Sequence, residues 1–420
     1  MSFLPYANYK DSGVPWLGAV PGHWVVKRVK HLAYMRSGEG ITAESIHESG
    51  NYPVYGGNGC RGYTDQRTHS GEFVLIGRQG ALCGNVHHVF GEFWASEHAV
   101  VSAFYAGDCP RWAAYMFELM NLGQYSIAAA QPGLAVERIQ LLELVTPPAD
   151  EQQAIADYLD TETARIDALI REKVGLIRLL GEYRQSVASD AVVRGLNPNC
   201  PMTQVDGGFR SIPMHWQMIC LKRFVKVIGG HTPSTENPSY WAGDIPWVSP
   251  KDMKRDELFD SIDHVTDAAV TDCGLAMLEV GATLVVVRGM ILAHSFPVAR
   301  NMVPVTINQD MKAIRPVEKV LPEYLPWLLR GVKSVILALT EQSAHGTLAL
   351  RTDKFFGEPL PIPPIEEQLA IVDYLCVELP RIDELVAHAT KEVKLLMELR
   401  AATIADAVLG RVDVRPTFKQ

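Results

Sequence analysis

Residues 147–170 read PPADEQQAIADYLDTETARIDALI, and residues 363–386 read PPIEEQLAIVDYLCVELPRIDELV. Fourteen of the 24 aligned positions are identical, which is far more than two unrelated amphipathic helices share. Each copy has a double proline, a Glu-Gln pair and then apolar residues at helical spacing. Because the copies lie about half the chain apart, the pattern indicates an internal duplication rather than a solenoid of short repeats.

A second pair of matching segments precedes each repeat. Residues 20–24 read VPGHW and residues 212–216 read IPMHW, and short apolar runs follow both. The duplication therefore includes the start of each large region as well as its end. A further match aligns GEFVLIGR at 71–78 with GATLVVVR at 281–288, and predicts two strands that each deliver an arginine to a loop.

The regions between these signatures contain many short β-branched runs bounded by Gly, Asn and Asp, as strands and hairpins require. Each region also has a stretch that predicts a helix, near 111–122 and 323–339. The expected fold is α+β, with two similar mixed domains and two helical segments. In chain order the segments are 1–146, 147–200, 201–362 and 363–420.

Both helical segments carry a heptad phase of mostly apolar residues, as a two-helix coiled coil needs. The predicted seam consists of Ile166, Leu169, Leu176, Leu180, Tyr183, Val187, Ile382, Leu385, Leu396 and Leu399. Lys173 is expected to face Glu392 across it. Pro380 replaces Ala164 and predicts a helix boundary in the second copy. The alternative is that each helix packs only on its own domain.

Composition limits the class of protein. The chain has 420 residues, of which 47% are hydrophobic, enough for the cores of two or three domains. No run of 18 apolar residues is present, so no membrane span is expected, and the N-terminus lacks the layout of a signal peptide. Seven cysteines without C-x-x-C spacing fit a reduced, cytoplasmic protein.

Motifs for chemistry are missing from the sequence. GNGCRG at 57–62 fits G-x-G-x-x-G, but a turn-like stretch follows it, so we predict a Gly-rich hairpin rather than a dinucleotide site. We find neither a phosphate-binding loop nor the tetrapeptide of amino-methyltransferases. A nuclease-like Glu-x-Lys at 392–394 falls inside a predicted helix, and the histidines lack metal-ligand spacing. The sequence therefore predicts no catalytic centre and no metal site.

Polar loop residues suited to reading base edges remain as candidates. Arginine pairs with guanine, and asparagine or glutamine pairs with adenine, through two parallel hydrogen bonds. The candidates are Arg61, Arg78, Gln79, Gln131, His231, Thr232, Ser234, Lys251, Lys254, Arg288, Asn308, Gln309, His345 and Thr347. For each one taken singly, the alternative is an ordinary surface or turn-capping side chain.

The run P-P-x-x-E-Q-x-A-I-x-x-Y-L followed by R-I-D-x-L, present twice after two regions that open with P-x-H-W, resembles the specificity subunit of type I restriction-modification systems. GHTPS at 230–234, IPWVSPKDM at 245–253 and YPVYGGNGCRGY at 52–63 are similar to stretches of that family's target-recognition domains. The resemblance covers the whole chain. It is most specific at the repeats.

The resemblance implies two target-recognition domains separated by an antiparallel pair of long helices, each domain reading one half of a split, asymmetric site in double-stranded DNA. It also implies a subunit without catalysis, which recruits two methyltransferase subunits and the restriction subunits. S-adenosylmethionine, ATP and Mg²⁺ are then expected on those partners and not on this chain.

Helix length and net charge add two expectations. From Ile166 to Arg194 the helix is ~42 Å long at 1.5 Å per residue, enough to hold readers of half-sites ~34 Å apart. The net charge is −9, and six of these charges fall in segments 147–200 and 363–420, which leaves the two large regions nearly neutral. The competing class is a coiled-coil scaffold with two protein-binding domains and no role on DNA.

Overall fold

The computed structural model describes residues 4–80, 82–126, 133–342 and 347–415. The chain forms two compact units, one made of Met1–Val174 with Thr390–Gln420 and the other of Gly175–Ala389. Each unit therefore contains one of the two large regions together with parts of two long helices. Each unit is described separately below.

The first unit contains a mixed domain in which six strands form one sheet. The strands are β1 Tyr9–Asp11, β2 Ala19–Pro21, β3 Val25–Arg28, β4 Ala33–Ser37, β5 Tyr52–Gly56, β6 Gly59–Thr64, β7 His69–Gly77, β8 Val86–Ala95, β9 Ala99–Phe104 and β10 Glu143–Thr146. The helices that begin in this unit are α1 Pro110–Leu119, α2 Val136–Leu141 and α3 Ala149–Arg194, with short 3₁₀ turns at Val29–His31, Ala43–Ser45 and Leu122–Tyr125. The sheet order is β4-β9-β7-β8-β5-β6, and β3 pairs with β10. Strands β5 and β6 form the predicted Gly-rich hairpin.

The second unit repeats this plan with shorter strands. The strands are β11 Met202–Gln204, β12 Ser211–Pro213, β13 Gln217–Cys220, β14 Val225–Gly229, β15 Trp241–Val248, β16 Glu257–Leu258, β17 Asp263–Val265, β18 Thr283–Val286, β19 Val298–Asn301, β20 Thr306–Ile307, β21 Met311–Pro316, β22 Thr340–Gln342, β23 Leu348–Leu350 and β24 Pro359–Ile362. The helices that begin in this unit are α4 Asp267–Asp272, α5 Tyr324–Gly331, α6 Lys333–Leu337, α7 Thr352–Gly357 and α8 Ile365–Val408, with 3₁₀ turns at Leu221–Arg223, Pro238–Tyr240, Pro250–Asp252 and Met290–Ala293. The sheets have the orders β14-β21-β18-β19-β16 and β17-β15-β20.

The shared strand order confirms two similar α+β domains. The neighbours β4-β9-β7-β8 of the first domain correspond to β14-β21-β18-β19 of the second, and the pair β3–β10 corresponds to β13–β24. The helix predicted near 111–122 is α1. The helix predicted for 323–339 is two shorter helices, α5 and α6, which are separated at Val332.

Each domain has its own core, and the long helices complete both cores. In the first unit Trp24, Trp112 and Phe117 are fully buried, and the start of α3 packs there together with the end of α8. In the second unit the end of α3, including Val192, joins the start of α8 in the domain core. The alternative that each helix packs only on its own domain is therefore wrong, because each helix contributes to the cores of both units.

Inside the first unit the two long helices run antiparallel. Lys173 Nζ lies 2.5 Å from a Glu392 carboxylate oxygen, and Arg400 Nε lies 3.0 Å from Asp167 Oδ1. The residue numbers rise along one helix as they fall along the other, so the direction is opposite. The predicted Lys173–Glu392 pair is confirmed. Inside the second unit Arg184 Nε binds Asp383 Oδ1 at 2.7 Å.

Burial contradicts the predicted seam at five of its ten positions. Ile166, Val187 and Ile382 are buried, and Leu180 is partly buried against the second core. Other predicted seam residues are 37–58% exposed, more than a coiled-coil core position allows: Leu169, Leu176, Tyr183, Leu385 and Leu399. Leu396 is intermediate. The heptad phase fails because the helices direct much of their apolar surface toward the domains.

The helix boundary predicted at Pro380 is wrong. Helix α8 is continuous from Ile365 to Val408 with Pro380 inside it. Proline removes one main-chain hydrogen bond from a helix interior, but Leu379 and Ile382 beside it are buried in the second core. This packing holds the helix through the missing bond.

In the part of the chain that the structure describes, each helix is either too short or too polar to cross a membrane.

Candidate nucleic-acid interface

Loops that are distant in sequence meet at one edge of the first domain through main-chain hydrogen bonds. The Arg78 N–H donates to the His98 carbonyl at 2.8 Å, and the Ser96 N–H donates to the Tyr55 carbonyl at 2.8 Å. The Glu39 N–H donates to the carbonyl of the residue before Ser96 at 2.9 Å. The loops after β4, β5, β7 and β8 are thereby fixed to one another.

The second domain has the same three hydrogen bonds. The Val287 N–H donates to the Asp310 carbonyl at 2.8 Å, and the Asn308 N–H donates to the Val248 carbonyl at 2.9 Å. The His231 N–H donates to the carbonyl of the residue before Asn308 at 3.0 Å. We call this set of bonds the loop frame.

Glycine is required at one position of the loop frame in both domains. A Cβ atom on Gly38 would lie 2.3 Å from the Ala95 carbonyl oxygen, and one on Gly230 would lie 1.8 Å from the Asn308 carbonyl oxygen. Both distances are far below van der Waals contact. The GHTPS stretch singled out in the sequence therefore begins with a glycine for a reason of close backbone approach.

The loop frame corrects one sequence match. Isolated bridges pair Gln79 with Gly133 and Arg288 with Ala349, so Gln79 is the counterpart of Arg288. The match that aligned the two arginines is wrong by one residue. Because successive residues of extended chain face opposite sides, Arg78 does not occupy the position of Arg288; it occupies that of buried Val287.

Four matched positions present side chains at this edge, and we call them the rim. In the first domain the rim is Glu39, Gln79, Glu97 and His98; in the second it is His231, Arg288, Gln309 and Asp310. All eight residues are at least partly exposed. The sequence candidates included Gln79, His231, Arg288 and Gln309 but missed the other four.

Rim side chains of the first domain form a short polar chain. His98 Nδ1 lies 3.0 Å from Gln79 Oε1, and His98 Nε2 lies 3.2 Å from Glu97 Oε1. The second carboxylate oxygen of Glu97 is buried and has no hydrogen-bond partner among the described residues. The His87 imidazole packs against Gly59 of the β5–β6 hairpin, since a Cβ atom on this glycine would lie only 3.3 Å from the ring. Burial lowers the pKa of the His87 imidazole.

Rim side chains of the second domain pair differently. Arg288 Nη1 lies 3.9 Å from Asp310 Oδ1, the pair that corresponds to Gln79 and His98. Thr232 Oγ1 donates to Gln309 Oε1. The Asn308 side chain accepts the Asp310 N–H at 3.1 Å and is itself buried, so this candidate shapes the turn rather than the surface.

The remaining candidates lie around the rim with varied roles. Lys251 Nζ binds Asp263 Oδ2 at 2.5 Å, so its charge is already paired. Ser234 Oγ accepts the Glu236 N–H at 3.3 Å as a turn cap. Three further candidates are placed as follows: Arg61 on β6 with its stem against Gly56, Lys254 exposed in the turn after Asp252, and Thr347 directly before β23. Gln131 and His345 lie outside the described residues.

A second constellation joins the duplicated motifs to each other. The His23 imidazole lies 2.6 Å from Glu151 Oε1, and Trp24 Nε1 donates to Glu151 Oε2 at 2.9 Å. The P-x-H-W signature and the helix-start glutamate of the first repeat are therefore partners. Sequence reasoning found both motifs but not their contact.

The second repeat has the same contact. Trp216 Nε1 donates to Glu367 Oε2 at 3.0 Å, and the His215 imidazole binds Glu367 Oε1. We call the glutamate with its His-Trp pair the clamp. It attaches the start of each domain to the helix that follows that domain.

The glutamine after each clamp glutamate closes the domain end. Gln152 accepts the Cys109 N–H at 2.8 Å and donates to the Pro147 carbonyl at 3.0 Å. Gln368 accepts the Leu321 N–H at 2.8 Å and donates to the Pro363 carbonyl at 2.9 Å. The Glu-Gln pair that both copies share therefore has a structural role, since both side chains bond to other parts of their own domain.

Among the described residues, the first clamp has partners that the second lacks. Tyr6 Oη donates to Glu151 Oε2 at 3.2 Å, and Arg415 Nη1 lies 3.0 Å from Glu151 Oε1. The Glu151 side chain is 4% exposed, whereas that of Glu367 is 40% exposed. The pKa of the Tyr6 phenol is raised, mainly by burial and secondly by the negative charge of the Glu151 carboxylate.

Known proteins are similar to this chain in sequence. A family model described as the type I restriction modification DNA specificity domain matches residues 21–174 and again residues 213–392. The chain is 45% identical over 159 residues to the EcoprrI type I restriction enzyme specificity subunit of Escherichia coli, covering 36% of this chain and 40% of that protein. It is 33% identical over 193 residues to the EcoR124I/EcoR124II specificity subunit of the same organism, covering 46% of each. The matched stretches span less than half of these relatives.

Solved structures share the fold. A chain from a study of complex assembly and conformational transition of the type I R-M system superimposes with a TM-score of 0.71 at 14% identity, over 93% of this chain and 98% of that one. The HsdS subunit from Thermoanaerobacter tengcongensis gives 0.51 at 16% identity, over 94% and 98%. With two copies of the family's domain covering most of its length, the chain belongs to the family of type I restriction-modification DNA specificity subunits.

Proposed function

We propose that this chain reads a bipartite, asymmetric site in double-stranded DNA, with one half-site for each target-recognition domain. The observation that supports this most is the loop frame, which occurs twice with the same main-chain bonds and different rim side chains. A constant frame with variable side chains is what two readers of different base sequences need, since base edges are read by side-chain donors and acceptors.

The test is to map methylated sites across the genome of a host that carries the complete system. The proposal predicts one split motif with two different halves separated by a fixed spacer. A continuous motif, or methylation that does not change when this chain is replaced by a relative, contradicts the proposal.

Partner subunits supply the chemistry in this proposal. The chain recruits two methyltransferase subunits and the restriction subunits, and S-adenosylmethionine, ATP and Mg²⁺ bind to those partners. Purified chain incubated with DNA, Mg²⁺, ATP and S-adenosylmethionine is expected to neither methylate nor cleave. Turnover by the purified chain alone contradicts this division of roles.

Phosphate contacts are expected to come partly from the partners. Contacts to phosphates dominate the affinity of most DNA-binding proteins, and this chain has a net charge of −9. A gel-shift titration should show weak or poorly specific binding by the chain alone and tight specific binding with methyltransferase subunits. Equal affinity in both cases contradicts this expectation.

Spacer length is a further part of the proposal. The long helices set the distance between the half-sites, so deletion of one heptad from each helix should change the preferred spacer. An unchanged spacer contradicts the idea.

The alternative function is a scaffold with two protein-binding domains and no role on DNA. A salt titration of DNA binding by the assembled complex separates the two, because a DNA reader loses affinity steeply as salt rises.

A further inference from the structure

We propose that Glu97 and Gln309 are matched specificity-determining residues, with Glu97 selecting a cytosine in one half-site and Gln309 selecting an adenine in the other. This inference rests on the proposed function. The side chain at one matched rim position would then account for one base difference between the two half-sites.

Hydrogen-bond register places the two residues at the same position. Glu97 follows Ser96, whose N–H donates to the carbonyl of Tyr55; Gln309 follows Asn308, whose N–H donates to the carbonyl of Val248. These acceptors correspond because β5 pairs parallel with β8 as β15 pairs with β20. On the other side, the residues after Glu97 and Gln309 accept main-chain bonds from the loop that follows β7 or β18. Both neighbours of each residue are therefore fixed in equivalent ways.

Glu97 has unused acceptor capacity. A carboxylate offers roughly four lone-pair sites, and here Oε1 faces only the His98 imidazole at 3.2 Å while Oε2 has no partner among the described residues. The side chain is 42% exposed but Oε2 itself is buried, so an incoming donor would meet the carboxylate at Oε1. An ionised carboxylate has no hydrogen to donate, and among base edges in the major groove only cytosine N4 and adenine N6 donate.

Cytosine suits a carboxylate better than adenine does. Adenine presents the N7 acceptor beside its amino group, and N7 repels the second carboxylate oxygen. Cytosine presents a C–H group in the corresponding place. Guanine and thymine present acceptors where the carboxylate needs a donor, so Glu97 excludes both.

Gln309 has the opposite preference. Its Oε1 accepts from Thr232 and keeps a second lone pair, and its amide nitrogen carries two hydrogens. One donor and one acceptor side by side match the N7 and N6 of adenine in a bidentate pair. The residue is exposed at the rim, so this pair is sterically available.

The experiment uses the assembled complex of full-length chain and methyltransferase subunits, with a DNA library randomised in both half-sites. Bound sequences are selected and counted for wild type, Glu97→Gln, Glu97→Ala and Gln309→Glu. Glu97→Gln should shift the preference at one base pair of the first half-site from cytosine to adenine, by about 5–150-fold. Gln309→Glu should make the reverse shift in the second half-site. Glu97→Ala should relax the first preference without creating a new one.

Each variant has an internal control, because the half-site read by the other domain should not change. Glu92→Gln is a matched control in the first domain, since Glu92 pairs with Arg67 and lies outside the rim. Unchanged preferences in both reciprocal variants, or a uniform loss across all sequences, would overturn the inference. Selection of no split motif by wild type would instead overturn the proposed function, so the two failures are distinguishable.

Discussion

The two domains have the same loop frame and the same clamp, but they differ in what surrounds each. At the rim the first domain carries two glutamates where the second carries histidine and glutamine. At the clamp Glu151 is enclosed by Tyr6 and Arg415, whereas Glu367 is half exposed. Main-chain bonds preserve geometry regardless of side chain, so the rim is free to change while the frame stays constant. The clamp shows that two copies of a motif need not contribute equally to stability.

The largest expected effect separates the two clamps. Glu151→Ala removes a buried carboxylate that accepts from Tyr6, His23 and Trp24, and it leaves the buried donors Tyr6 and Trp24 unpaired. Breaking a buried charged network costs about 3–5 kcal/mol. Glu367→Ala removes a half-exposed carboxylate that accepts from Trp216 and should cost less, about 1 kcal/mol. Urea unfolding with hydrogen exchange of peptides from each domain measures both. Equal losses would show that the additional partners of Glu151 do not matter.

A proline exchange tests the helices. Proline inside a helix costs about 3 kcal/mol, so Ala164→Pro should destabilise the first copy by roughly that amount. Both Ala164 and Pro380 are exposed, so side-chain packing changes little. Pro380→Ala should stabilise the second copy by a smaller amount, since buried neighbours already hold α8. Circular dichroism during thermal unfolding measures the two shifts; opposite signs are predicted, and a stabilising Ala164→Pro would contradict the account.

The glutamines should behave alike. Gln152 and Gln368 are both buried, and each accepts one N–H and donates to the carbonyl of the first proline of its repeat. Each also donates a second bond, from Gln152 to the Asp108 carboxylate at 3.4 Å and from Gln368 to the Lys319 carbonyl at 2.7 Å. Replacement of either by alanine leaves a main-chain donor and acceptor unpaired, at about 1–3 kcal/mol. Equal losses in the two variants are expected from urea unfolding. A difference of more than about 1.4 kcal/mol, tenfold in the unfolding equilibrium, would show that the closure of the two domains is not equivalent.

Sequence reasoning found what depends on local pattern. The repeat predicted two long helices, and GNGCRG predicted a hairpin that β5 and β6 form. Pro380 misled because local propensity was overridden by tertiary packing around Leu379 and Ile382. The seam phase failed at exposed positions such as Leu385 for a related reason, since the heptads took no account of the domains that the helices cover.

Rim residues depend on long-range pairing and so were only half found. The sequence alignment of Arg78 with Arg288 differs by one residue from the alignment that the strand pairing gives. That pairing, of Gln79 with Gly133 and of Arg288 with Ala349, becomes visible only in the folded protein. The position of Glu97 in the sequence did contain a signal for a rim residue. It holds the place in the first domain that Gln309 holds in the second, and aligning β8 through β9 with β19 through β21 would have revealed this.

The most direct test of the central claim exchanges the rim while keeping the frame. In one variant the first domain receives the rim of the second, by Glu39→His, Gln79→Arg, Glu97→Gln and His98→Asp. Methylated sites are then mapped in a host that carries the complete system with this variant. The account predicts a motif whose first half has changed and whose second half and spacer are retained. An unchanged motif, or a change in both halves, would contradict the claim that a constant frame presents the residues that read DNA.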